Sequence, residues 1–329
     1  MDSEALVQLA LNALSCNQKE LGLRLGVSPT QISKWKKGEH MSLDMAEKLR
    51  ELANIGDRDP QFVIWAGSLT EADKWERLIR YLAERAYEGG ETGYNTYPLG
   101  DEEGQRELLC WSTFHTLIEM GVTIPERFPE ELDVEYELDD EDEDTIQDHE
   151  SRVSVIIENN PYSSTIDKLY HSLNNVYGFY AAYMSELFYD EELDLMGTPA
   201  ENIEPCLMSL AACKIEVDTQ FAPNFARFRA RVKKEYKEWI DIAKDMAFRA
   251  GVPLRAELLD LVYDSDDSLG HEAEAESLGF NASRIHPDVY MNELLVGMRI
   301  IHQVLPAIMK KLGVYEEFEL DTTKLRLGD

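Results

Sequence analysis

Apolar side chains recur at three- and four-residue spacing through most of this chain, the period of an amphipathic helix. Ala5 to Leu14 forms the first such segment, and two short ones follow at about 18–25 and 29–37. Ser42, a good N-cap, opens a fourth that carries Leu43, Ala46, Leu49 and Leu52 until Gly56 stops it. Asp59 and Pro60 then mark a boundary. Ser68 and Glu71 have the spacing of a capping box ahead of Trp75, Leu78, Ile79 and Leu82, which predicts a helix over 70–87. Residues 89–100 contain Gly, Asn, Thr and Pro and read as a loop, whereas 104–120 reads as a helix with Leu108, Trp111, Leu117 and Ile118 on its apolar face. Further helices are predicted at 164–189, 203–213, 224–250, 255–263 and 288–312. Two segments fit short strands: the β-branched Val153 to Ile157, and the weakly alternating Phe318 to Leu327.

Residues 18–38 carry a more specific pattern. Leu21, Leu25, Val27, Ile32 and Trp35 fall where two short helices must bury against each other. Gly26 permits a sharp turn between them, because it adopts positive φ without a Cβ clash. Ser28 is placed to cap the second helix, Pro29 suits its first turn, and Gly38 ends it. Periodicity, turn and caps agree with one another.

With these residues, positions 5–55 resemble the lambda-repressor-like, Xre-type helix-turn-helix family, whose motif runs Gln-x-x-Leu-Ala and then Gly-Val-Ser-x-x-x-Ile-Ser-x-Trp. Gly22 stands where that family usually has Ala. The resemblance covers about a sixth of the chain. It implies double-stranded DNA as a partner. Gln18 would bond a phosphate, and Ser28, Pro29, Thr30, Gln31 and Lys34 would occupy the face that enters the major groove. Base discrimination would fall on Thr30, Gln31 and Lys34, since Gln suits adenine and Lys suits guanine. Ser33, Lys36, Lys37 and His40 would lie near the backbone and set the register.

The charge makes that reading sharper. The 329 residues hold 64 acids and 32 bases, a net of −32, which excludes a uniformly basic nucleic-acid binder and a polybasic membrane-surface protein. Residues 1–56 carry seven of each sign and are neutral, and within 17–38 five bases face only Glu20, a net of +4. From Glu130 to Glu150 there are thirteen acids and no base, a block expected to stay extended as a solvated linker or loop. A second basic stretch lies at 221–250, with eight bases and four acids. On a helix, Arg227, Arg231 and Lys234 make one stripe and Arg229, Lys233 and Lys237 an adjacent one: a face paired with Glu235, Glu238 and Asp241, or else a second phosphate contact or a dock for the acidic segment.

Other chemistry is not encoded at recognisable spacing. Asp264 to Asp267 opens like a calcium loop, but Leu269 occupies the obligatory glycine position and Ala275 the twelfth. His271 lacks the second histidine of a zincin, and Cys206 and Cys213 share a helix face with no further ligand, as small hydrophobes do. Cys110 and His115 fall on different faces of one helix. The aromatic run from Tyr170 through Tyr177, Tyr180, Tyr183 and Phe188 to Tyr189 has the spacing of core or of a subunit interface. No phosphate-binding glycine loop occurs, and no cofactor and no enzymatic activity are expected. Sparse cysteines and the absence of a basic, apolar leader or of a membrane-length apolar run fit a reducing cytoplasm and no membrane.

The expected fold is mostly α, an N-terminal helix-turn-helix bundle followed by a larger, acidic α-helical region. Its expected divisions are a DNA-binding domain at 1–56, a helical region at 57–129, an acidic linker or loop at 130–150, and an α-helical domain at 151–329 for dimerisation or partner binding. The expected function is a sequence-specific transcriptional regulator of bacterial or mobile-element type, acting as a homodimer on a palindromic operator. The alternative is an acidic inhibitor or DNA mimic, antitoxin- or anti-defence-like, that fills a basic groove on a protein partner while its helix-turn-helix autoregulates its operon.

Overall fold

The computed structural model describes residues 3–100, 105–138, 143–191, 193–202, 206–250, 275 and 287–315. The expected helix at 255–263 and strand at 318–327 lie outside the described residues, as does all of the calcium-like loop but Ala275. Every described element is helical. The first four, α1 (Ser3–Ala13), α2 (Gln18–Leu25), α3 (Pro29–Trp35) and α4 (Leu43–Ala53), form a small bundle in which α1 packs along α4 and α2 on α3.

Asp59 and Pro60 do not end the fold; they start a helix. The Asp59 carboxylate accepts from the backbone N–H of Gln61 (2.8 Å) and Phe62 (3.0 Å), and Pro60 occupies the first turn, where its missing N–H costs nothing. The helix, α5 (Pro60–Ala66), buries Phe62, Val63 and Ala66 and packs against α1 on one side. On its other side lie α6 (Leu69–Glu88) and α7 (Gln105–Glu119), so α5 docks the N-terminal bundle onto the rest.

The segment Val153–Ile157 is not a strand. It lies inside α8 (Glu143–Asn159), with Val153 and Ile157, one helical turn apart, both buried, and α8 packs on α9 (Pro161–Tyr183). Burial of that one face overrides the β-preference of branched side chains. The remaining helices are α10 (Ser185–Phe188), α11 (Leu207–Lys214), α12 (Phe225–Ala250) and α13 (Pro287–Leu312).

Helix α9 is the axis of the body, packed on α6, α8, α10 and α11. Tyr170, Tyr180 and Tyr183 are buried in it, as the aromatic spacing predicted, whereas Tyr189 beyond α10 is exposed. Several of its buried polar groups bond across helices: the Tyr170 and Thr113 hydroxyls bond at 2.7 Å, Ser172 donates to the Ala211 carbonyl at 2.9 Å, and Asn174 donates to that of Ala86. Trp75 of α6 is fully buried in an edge-to-face box of Phe114, Phe128 and Tyr162.

The acidic run, expected as a solvated linker or loop, is a loop over residues 133–138, and one that packs on the body. Leu132 and Tyr136 are buried, Tyr136 stacks on Tyr81 at 4.9 Å, and its hydroxyl donates to the Leu132 carbonyl at 2.5 Å. Asp133 bridges Lys74 (2.5 Å) and Arg77 (2.9 Å) of α6, and the Lys74 ammonium beside it holds its carboxyl below the usual range. The run then enters α8 at Glu143. Apolar residues at every second position give it a face that α6 covers, and this outweighs self-repulsion of the acids.

Candidate nucleic-acid interface

Two short helices must be stopped and started within a few residues to make this site. Asn17 caps α2: its side-chain oxygen accepts from Lys19 N (3.0 Å) and Glu20 N (3.1 Å), while the Glu20 carboxylate accepts from Asn17 N (3.1 Å). That reciprocal box satisfies the first donors of a helix only eight residues long. Gly26 ends it at φ +70°, and the N–H of Val27 returns to the Gly22 carbonyl at 2.9 Å. Ser28 caps α3, its hydroxyl accepting from Gln31 N at 3.2 Å, with Pro29 in the first turn.

The turn also explains the glycine at position 22. A Cβ built there would lie 2.9 Å from the Val27 carbonyl oxygen, inside normal contact, so α2 and the turn approach more closely than alanine allows. Gly22→Ala is therefore expected to lower the melting temperature despite its gain in helix propensity of ~1 kcal/mol. An unchanged or raised melting point in calorimetry would show that the turn yields freely.

Helix α3 is split by burial. Ile32 and Trp35 are buried against α1 and α2, while Ser28, Pro29, Thr30 and Lys34 are exposed and Gln31 and Ser33 half-buried. Gln18 is half-buried at the start of α2, and Lys36, Lys37 and His40 are exposed just past α3. The Trp35 indole N–H donates to the His40 carbonyl (3.2 Å), which folds the chain after α3 back over the ring. Ser3 of α1 donates to the carbonyls of Trp35 (3.0 Å) and Glu39 (2.9 Å), so the first helix fixes where the second motif helix ends.

Residues 7–56 match the helix-turn-helix family. The match stops at the end of α4 and its turn, and no curated protein and no solved structure matches the chain. Over this segment the chain is similar to lambda-repressor-like helix-turn-helix domains, and α3 stands at the place of their second motif helix. No described helix is long and apolar enough to cross a membrane.

The helix-turn-helix holds one carboxylate beside its basic face. Glu39 lies 3.4 Å from the Lys34 ammonium, both about half exposed (53% and 50%), because the turn at Gly38 brings them together. Sequence reading missed this pair, as it missed Asn17 and Ser3.

The second basic stretch is placed differently. On α12, Arg231 pairs with Glu119 of α7 at 2.9 Å and approaches Glu235 at 3.9 Å, and Lys234 approaches Glu238 at 3.4 Å. Arg229 lies over the Phe225 ring and Arg231 over that of Phe228. Arg227 borders an open groove with Glu119, Asn224 and Arg231, Lys237 is exposed, and Lys233 half-buried. Arg229, Arg231 and Lys234 thus engage acids or rings of their own chain. Cys110 and Cys213 are buried, and burial pushes the Cys213 thiol up to about 12; Cys206, expected to be buried beside it, is exposed.

Proposed function

We propose that the protein is a sequence-specific DNA-binding regulator that reads the major groove with Thr30, Gln31 and Lys34 of α3. One observation carries the reading: α3 buries its apolar side and exposes Thr30 and Lys34, with Gln31 half-buried between them, inside a +4 segment of a −32 chain. A net charge of −32 is repelled by DNA, so a local positive face kept at the exposed side of a helix-turn-helix is what DNA contact requires. Gln18, Ser33, Lys36 and Lys37 hold phosphates and set the register, and Ser28 and Pro29 bring the N-terminus of α3 to the groove. One such module makes few contacts, so two copies act together on half-sites about 34 Å apart.

The test is a fluorescence-anisotropy titration of a duplex taken from upstream of the protein's own gene against a scrambled duplex. Tighter binding to the native duplex by at least ~1,000-fold supports the reading. Equal affinities defeat it.

Glu39 bears on the same experiment. DNA must displace it from Lys34, so Glu39→Gln is expected to strengthen binding to scrambled DNA about two- to fivefold at low salt. The gain should vanish near ~1 M salt, where screening acts within ~3 Å.

A second reading has its own observation. Glu84, Glu88, Glu137 and Glu150 line one open groove together with Tyr81, Tyr136 and Arg85. Such a surface suits a basic segment of another protein, and in this reading the helix-turn-helix regulates the operon alone. Co-purification of a basic protein that is lost on Glu84→Gln and Glu88→Gln would favour it.

A further inference from the structure

Helix α13 is built unlike the rest of the chain. From Met298 the apolar residues fall at alternating three- and four-residue steps: Met298, Ile301, Leu305, Ile308 and Leu312. By sequence the same phase extends back to Leu294 and Met291. That is a heptad seam held through three repeats, the spacing with which helices wind around one another. The five seam side chains from Met298 are 46–69% exposed, and no other described helix packs extensively on α13. Elsewhere in the described residues, apolar stripes of this length are buried.

We propose that α13 is a self-association helix whose seam packs on the same seam of a second copy of this chain. The charge favours that occupant. Asp288 and Glu293 against Arg299, Lys310 and Lys311 give α13 a net of +1, so this helix lacks the acidity that would hold two chains of −32 apart.

The area is sufficient as well. Five seam residues on each of two helices make ten, and at ~60–120 Å² of apolar surface each they bury about 600–1,200 Å². Ile300 and Val304, also exposed, widen the strip, and the resulting total of about 840–1,680 Å² overlaps the ~1,200–2,000 Å² range of stable interfaces. Pro306, the one proline inside α13, falls at an outer position of the heptad, so its lost hydrogen bond faces away from the seam.

The seam also supplies the second module that operator reading needs, but it is measured without DNA and stands or falls independently. Light scattering on the size-separated full chain gives the mass directly. The wild-type protein is expected at two or four times 37.7 kDa. Ile301→Lys with Leu305→Lys should return it to 37.7 kDa, whereas Gln303→Lys on the outer face should leave the assembly intact. Should the lysine pair alter the far-ultraviolet circular dichroism, Ile301→Ala with Leu305→Ala replaces it, with an expected rise of at least tenfold in the dissociation constant. A wild-type monomer at micromolar concentration overturns the proposal, and so does an assembly that survives the seam substitutions.

Discussion

Trp35→Ala in the full chain is expected to abolish DNA binding while the body of the protein remains helical. The indole is 5% exposed, closes the contact of α3 with the rest of the bundle, and donates to the His40 carbonyl. Truncating a buried tryptophan costs about 3–5 kcal/mol, part transfer and part cavity. The four-helix bundle has no other buried aromatic ring to compensate, its remaining large buried side chains being Leu6, Val7, Leu21, Ile32, Met41, Leu49 and Ile55. A loss of that size is a large share of the ~5–15 kcal/mol that stabilises a whole domain. Hydrogen exchange should show amides of residues 3–53 opening while those of α6 and α9 keep their protection. Unchanged protection in the N-terminal bundle, with full DNA affinity, would contradict the packing of Trp35.

The second large effect separates reading from holding. Gln31→Ala and Lys34→Ala should each change preference at one base pair, by about 1–3 kcal/mol. Lys36→Ala and Lys37→Ala should weaken every duplex alike and lower the salt slope by about one unit each. The structure gives the basis for the division. Gln31 and Lys34 belong to α3, whereas Lys36 and Lys37 follow it in the turn toward Gly38. Four variants with the same ratio of specific to scrambled affinity would reassign the reading face.

What the chain discloses in advance depends on how local the cause is. The helix-turn-helix was legible because its Ser28 cap, its Gly26 turn and its buried Leu21, Ile32 and Trp35 all lie within one 21-residue stretch, 18–38. Helix α5 was not, since seven residues are too few to show a period and Asp59-Pro60 serves equally as a break and as a cap and first turn. Val153 to Ile157 misled because propensity was read without the neighbour, α9, that decides its conformation.

The acidic run misled through its charge. Leu132, Val134 and Tyr136 alternate within it, and that signal was present but outvoted by the carboxylates. Two features of the site had no local signal. Ser3 reaches the end of α3 across 32 residues of sequence, and Glu39 meets Lys34 only because Gly38 turns at φ +81°.

The central claim is that α3 reads a DNA sequence. Selection of bound duplexes from a random pool, run in parallel with the wild-type chain and with Gln31→Ala, tests it most directly. The wild type should enrich an inverted repeat with half-site centres about one helical turn apart. The variant should enrich the same repeat with one symmetric position relaxed. A wild-type pool that stays random after repeated rounds, or a variant pool identical to an enriched wild-type one, would contradict the account.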